Sequence, residues 1–158
     1  ALLGVGQTCD ARIFSIYEGT TQLQVVAAVR YITNGTYLNI IKEMLLNDVA
    51  DELRPLKERV AKMVDLYAEA VEKVKASDNQ AEHDFLARRL YNMTGDIIMS
   101  LLILTDATKA PELFAKSAQV YVRAAEEEVV GHAAYVMAFN DDDLKNFVAE
   151  ETNDEAEA

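Results

Sequence analysis

An all-α fold, an up-and-down bundle of about four main helices, follows from three features of this 158-residue sequence. Apolar residues recur every three or four positions across three segments of more than twenty residues each. Only two Pro and six Gly interrupt the chain, and no stretch alternates apolar and polar as a half-buried strand does. Short connections between the long segments place neighbouring helices antiparallel.

Residues 1–9 show no period and contain Gly4 and Gly6, so they read as irregular. Asp10 to Ile16 suits a short helical turn. A longer helix starts within Glu18-Gly19-Thr20-Thr21-Gln22, with Gly19 or Thr20 near its N-cap. Leu23, Val26, Ala27, Arg30 and Tyr31 then follow helical spacing to about Thr33, and Asn34-Gly35 breaks the run. The next helix spans Thr36 to about Leu46, with Leu38, Ile41, Leu45 and Leu46 on its apolar side.

A strong period then runs through Leu53, Leu56, Val60, Met63, Val64, Tyr67, Val71 and Val74. Pro55 sits near the start of that helix, where a missing N–H does little harm, so the helix begins around Asp51 or Leu53. Ser77-Asp78 offers the cap for the following one, Asn79 to about Thr105, with Phe85, Leu86, Leu90, Met93, Ile97, Leu101 and Leu104 apolar. Its run from Ile97 to Leu104 is far short of the ~20 residues of a membrane span and reads as buried core. Pro111 opens the last long helix, which ends near Phe139 with Leu113, Phe114, Ala118, Tyr121, Val122, Ala125, Val129 and Tyr135 facing inward. A short turn fits Asn140 to Phe147, and the acidic end of the chain reads as disordered.

A net charge of −12 sets the protein against phosphate backbones, and no basic amphipathic segment suits a membrane surface. Cys9 is the only cysteine, which excludes an internal disulfide and fits a reducing, cytoplasmic setting. The start shows no signal peptide. It also lacks Met, which fits processing, a tag remnant or a fragment.

A helical bundle raises the question of a di-iron carboxylate site, which needs Glu-x-x-His pairs. His83 has Gln80 three residues before it and His132 has Val129, so no metal is expected. His132 reads as a packed or boundary histidine, His83 as exposed, and Glu126-Glu127-Glu128 as a solvated face. The Met and Tyr residues fall at core spacing. The Asn140–Glu151 stretch has no central Gly and carries Lys145 at a would-be ligand position, which rejects a calcium loop.

One stretch carries more. Asp10-Ala11-Arg12-Ile13, Ile16-Tyr17-Glu18-Gly19-Thr20 and Gln22 occur in fixed order, and this pattern resembles the catalytic segment near the C-terminus of acyl-CoA dehydrogenases. One position departs: Cys9 stands where the family usually has Arg before the Asp. The resemblance implies that Glu18 is the base removing the α-proton of an acyl-CoA thioester and that the β-hydride goes to FAD. It implies that Gly19 lets the chain pass close to the substrate thioester, and that Thr20, Thr21 and Gln22 contact FAD from a helix start. It further implies electron-transfer flavoprotein as a partner, a homo-oligomer, and a role in fatty acid metabolism.

On this reading residues 1–34 end a catalytic helical domain, 35–140 form a C-terminal helical extension, and 141–158 are an acidic tail. The chain by itself is then expected to be inactive, since flavin and substrate slot lie elsewhere. The alternative is a stand-alone helical interaction module that keeps a vestigial motif.

Overall fold

Helix formation follows the apolar spacing across residues 21–145, the part of the chain that the computed structural model describes. The elements there are α1 (Thr21–Thr33), α2 (Thr36–Leu45), a 3-10 turn (Asp51–Leu53), α3 (Arg54–Ala76), α4 (Gln80–Lys109), α5 (Pro111–Ala138) and α6 (Asp141–Lys145). No strand occurs among the described residues, so the fold is an all-α bundle. The irregular start, the turn at Asp10–Ile16, the cap at Gly19 or Thr20 and the acidic end lie outside the described residues.

Local chemistry explains the breaks. Gly35 takes φ 85°, a left-handed conformation that a Cβ would strain, and this separates α1 from α2. Asn34 Oδ1 accepts from the Thr36 N–H at 3.0 Å and from its hydroxyl at 2.7 Å, holding the turn. Pro55 falls in the first turn of α3. The α3–α4 connection is capped by Asn79, not by Ser77-Asp78: Asn79 Oδ1 accepts from the Ala81 N–H at 3.0 Å. Ser77 is used instead to hold Glu82, donating to its carboxylate at 2.6 Å and leaving that acid buried. His83 is half-buried rather than exposed, because α4 folds back on this turn and sets Nε2 2.8 Å from the Ser77 carbonyl.

The long helices α3, α4 and α5 pack on one another, and α1 lies on α4. Val60, Met63, Val64, Tyr67, Val71 and Val74 of α3 face Leu86, Leu90, Met93, Ile97, Leu101 and Leu104 of α4, all buried. From α5 come Ala118, Val122, Ala125 and Val129. At the far end Lys73 Nζ donates to the carbonyls of Met137, 2.9 Å, and Phe139, 2.6 Å. The last turn of α5 thereby gains donors for otherwise orphan acceptors, together with a favourable charge.

Several faces differ from those the spacing suggests. In α1 the buried stripe is Val25, Val29 and Ile32, while Ala27, Arg30 and Tyr31 face out. The two sets share helical spacing, and the surface of α4 selects the β-branched one. Leu46 is 81% exposed because α2 ends one residue before it. Met99 and Leu102 are exposed within the Ile97–Leu104 run, since a helix lying on one side of a bundle buries a stripe and not eight consecutive residues. Tyr31, Tyr91 and Met137 are exposed too. In α5, Leu113 and Phe114 are exposed and Tyr121 and Tyr135 half-buried. The apolar residues of α5 form two stripes, and only the one through Ala118 and Val122 meets α3 and α4.

Candidate functional site

Glu18, Gly19 and Thr20 lie outside the described residues; Thr21 and Gln22 are the first two residues of α1. That helix is held by Val25, Val29 and Ile32 in the common core. Its first turn carries no acidic residue, so its positive end is left for an anionic group. The first turns of α2 and α3 lack acidic residues as well, so this feature does not by itself single out α1. A cleft of about 520 Å³ beside α3 suits an FAD poorly: Asp48 and Glu58 share its wall with Arg54 and Lys57, and no aromatic ring lines it to stack a flavin.

The densest polar cluster sits elsewhere, between α4 and α5. Asn92 and Asp96 of α4 and Tyr121, Glu128 and His132 of α5 line a depression of about 460 Å³, and Arg89 of α4 joins the cluster through His132. Arg89 Nη1 is 3.3 Å from His132 Nδ1, and its guanidinium lies 3.4 Å from the centre of the Tyr135 ring. A donor so close to Nδ1 requires a lone pair there, which makes His132 the neutral Nε2–H tautomer. Nε2–H is then 3.4 Å from Asn92 Nδ2, donor facing donor, so a hydrogen bond there requires the Asn92 amide turned to present its Oδ1. Burial, and after it the Arg89 charge, hold the His132 pKa below the usual imidazole value.

Tyr121 donates to Asp96 Oδ1 at 3.4 Å. Burial raises the Asp96 carboxyl, a rise that the Tyr121 hydrogen bond opposes, and burial also raises Tyr121. These groups tie the two longest helices together. The sequence holds a trace of the cluster: Arg89, Asn92 and Asp96 are spaced three and four apart, as are Tyr121, Glu128 and His132 in multiples. Sequence reasoning found only His132, since the pairing depends on which faces of α4 and α5 meet.

No group of three or more His, Cys, Asp or Glu among the described residues could hold a metal ion. Glu127 and Glu128 are exposed, as the sequence suggests, while Glu126 is half-buried and pairs with Arg59 at 3.1 Å. No described helix is long and apolar enough to cross a membrane.

No curated protein matches the chain. Among solved structures, an acyl-CoA dehydrogenase family protein from Porphyromonas gingivalis is 36% identical with a TM-score of 0.67, the match covering 72% of this chain and 98% of that one. Residues 33–144 match the family described as acyl-CoA dehydrogenase C terminal. With most of its length matched and its helical fold shared, the chain belongs to the acyl-CoA dehydrogenase C-terminal family.

Proposed function

We propose that this chain is the C-terminal helical part of an FAD-dependent acyl-CoA dehydrogenase-like oxidoreductase of fatty acid metabolism, working in the cytoplasm. The carrying observation is that the family match over residues 33–144 lies a short way after the Asp10–Gln22 motif in the same chain. Two independent stretches of one chain point to the same enzyme class.

In this reading Glu18 takes the α-proton of the acyl-CoA thioester onto its carboxylate. A carboxylate can do this when bound substrate excludes water and raises its pKa toward that of the carbon acid. The Glu18 N–H polarises the thioester carbonyl, where negative charge develops. Gly19 lets the backbone approach the thioester without a side chain between. Thr20, Thr21 and Gln22 hold FAD at the start of α1. Bound FAD supplies the acceptor for the β-hydride, and electron-transfer flavoprotein takes the electrons onward. Residues 1–34 end the catalytic domain, 35–140 form an extension and 141–158 an acidic tail. The chain alone is inactive, because proton transfer without a held substrate and acceptor loses the positioning that carries most of the rate.

The test is Glu18→Gln in the flavin-loaded natural product. Dehydrogenation should fall about 10²- to 10⁴-fold with the flavin absorbance kept; unchanged turnover sinks the assignment. One observation favours a second reading, a stand-alone helical module. The Porphyromonas gingivalis chain is matched over 98% of its length, which leaves little of it beyond such a bundle. The size and colour of the natural product separate the two. A yellow protein much larger than 17.6 kDa supports the enzyme, and a colourless one of 17.6 kDa the module.

A further inference from the structure

Asn34 is the one asparagine of the chain followed by glycine, and the break between α1 and α2 leaves it exposed. Its amide is held in one orientation. The Thr36 N–H can only donate, so the atom 3.0 Å from it is the carbonyl oxygen Oδ1, and the Thr36 hydroxyl donates to the same oxygen at 2.7 Å. No hydrogen bond holds Nδ2 among the described residues. The two Thr36 donors stand where negative charge gathers when a nucleophile adds to Cγ. The next main-chain nitrogen belongs to Gly35, which has no Cβ to crowd an approach. Its N–H is given to the Ile32 carbonyl at 3.1 Å, a single bond at the end of α1, where local opening costs least.

We propose that Asn34 is a site of spontaneous deamidation, with water as the co-reactant and Thr36 assisting. The Gly35 nitrogen, its proton taken by solvent hydroxide, adds to Asn34 Cγ. A bond from that nitrogen to Cγ forms, the Cγ–Nδ2 bond breaks, and Nδ2 leaves as ammonia with a proton from water. Water then opens the cyclic imide. Attack at Cγ leaves Asp in a normal chain; attack at the main-chain carbonyl leaves isoaspartate, with the chain running through the side chain. Nothing is oxidised or reduced. The Asp product keeps both Thr36 donors and puts a negative charge at the start of α2, whose first turn has no acid. Isoaspartate lengthens the main chain by a methylene at the corner between α1 and α2. Two other asparagines serve as internal comparisons. Asn79 Oδ1 accepts from the Ala81 N–H at 3.0 Å and Asn140 Oδ1 from the Asp142 N–H at 2.9 Å, so both amides are caught in the same way. Gln80 and Asp141 follow them, each with a Cβ beside the nitrogen, and neither oxygen accepts from a hydroxyl. The proposal stands apart from the catalytic role of Glu18.

Incubation of the 158-residue chain at neutral pH, followed over time by peptide mapping in the mass spectrometer, tests it. The mass gain of an amide turned acid should build up at Asn34 about 10-fold faster than at Asn79 or Asn140. Isoaspartate, read by enzymatic methylation, should be part of the Asn34 product. Thr36→Val keeps the backbone donor and loses the hydroxyl; it should slow the Asn34 reaction about 10-fold and leave the other two sites unchanged. Thr36→Ser keeps the hydroxyl and should hold the natural rate to within about 3-fold. Conversion at Asn34 no faster than at Asn79 and Asn140 overturns the proposal. So does a product free of isoaspartate, which would bypass the imide. An Asn34 rate that Thr36→Val leaves unchanged or raises, with the helical circular dichroism kept, overturns the part given to Thr36.

Discussion

Tyr67 shows how a buried polar atom is tolerated at the level of one residue. Its ring is fully buried between α3 and α4, and burial pushes the phenol pKa up to about 12. Thr94 Oγ1 lies 2.9 Å from the phenol oxygen and 2.8 Å from the Leu90 carbonyl. One hydroxyl hydrogen cannot serve both, so where Thr94 donates to Leu90 the phenol donates to Thr94. The two sides of the pair are therefore unequal. Tyr67→Phe leaves Thr94 bonded to its own helix and should cost about 1 kcal/mol. Thr94→Val strands a buried phenol and should cost more, about 1–3 kcal/mol. Urea unfolding of both variants checks the order; a costlier Tyr67→Phe contradicts the hydrogen-bond assignment.

The contact of α4 with α5 makes the bundle sensitive to pH. The folded His132 pKa lies below the imidazole value of 6.5, so between the two the unfolded chain binds a proton that the native one does not. Its contribution is full above 6.5 and is lost as pH falls toward the folded value. The charged groups facing it are Arg89, which lowers the pKa, and Glu128 and Asp96, which raise it. Asp96 acts in the opposite sense in a lower window: its raised pKa adds stability as pH falls toward 3.8. Unfolding free energy measured at pH 7.5 and 5.5 should drop for the natural chain and drop less for His132→Gln, which keeps an acceptor for Arg89 without titrating. At the ends of the same elements the effects are local. Asn79→Ala removes the α4 cap and should cost about 1 kcal/mol. Gly95→Ala, at an exposed position in mid-helix with nothing within 4 Å of a new Cβ, should gain up to about 1 kcal/mol in thermal or urea unfolding.

Across the whole molecule, α4 is the element that the others share, and its middle is the place where damage should spread. Leu90 is fully buried, and Leu90→Ala should cost about 2–5 kcal/mol, a large part of the stability of a domain this size. Loss of a single cooperative transition in that variant, while Val120→Glu keeps one, would separate the inner stripe of α5 and its surroundings from the outer stripe. The inner side is a condition of folding. The outer side is exposed among the described residues.

How much of this was legible in the sequence differs from element to element. In α3 the apolar period named nearly all the buried residues, because one stripe dominates; in α4 it named the large apolar ones and missed Glu82, Ala87, Thr94, Ser100 and Ala107, which are polar or small and are buried because helices pack on several of its sides. In α1 the period marked a helix without fixing which face is inside; the buried residues there are Val25, Val29 and Ile32. In α5 two stripes coexist, so Leu113 and Phe114 passed for core. The motif around Glu18 is a property of residue order and needs no tertiary contact to be seen, but its geometry lies outside the described residues.

The polar cluster of Arg89, Asp96, Tyr121 and His132 was nearly invisible, since its members are up to 43 residues apart and meet only across two helices. By itself, then, the sequence determined the helices, their breaks and the family signature, because local propensity, capping and residue order are written along the chain. Only the tertiary structure decided which face of each helix is inside. A period of 3.6 defines a stripe but not its partner, and the partner is chosen by the surfaces that α4 presents.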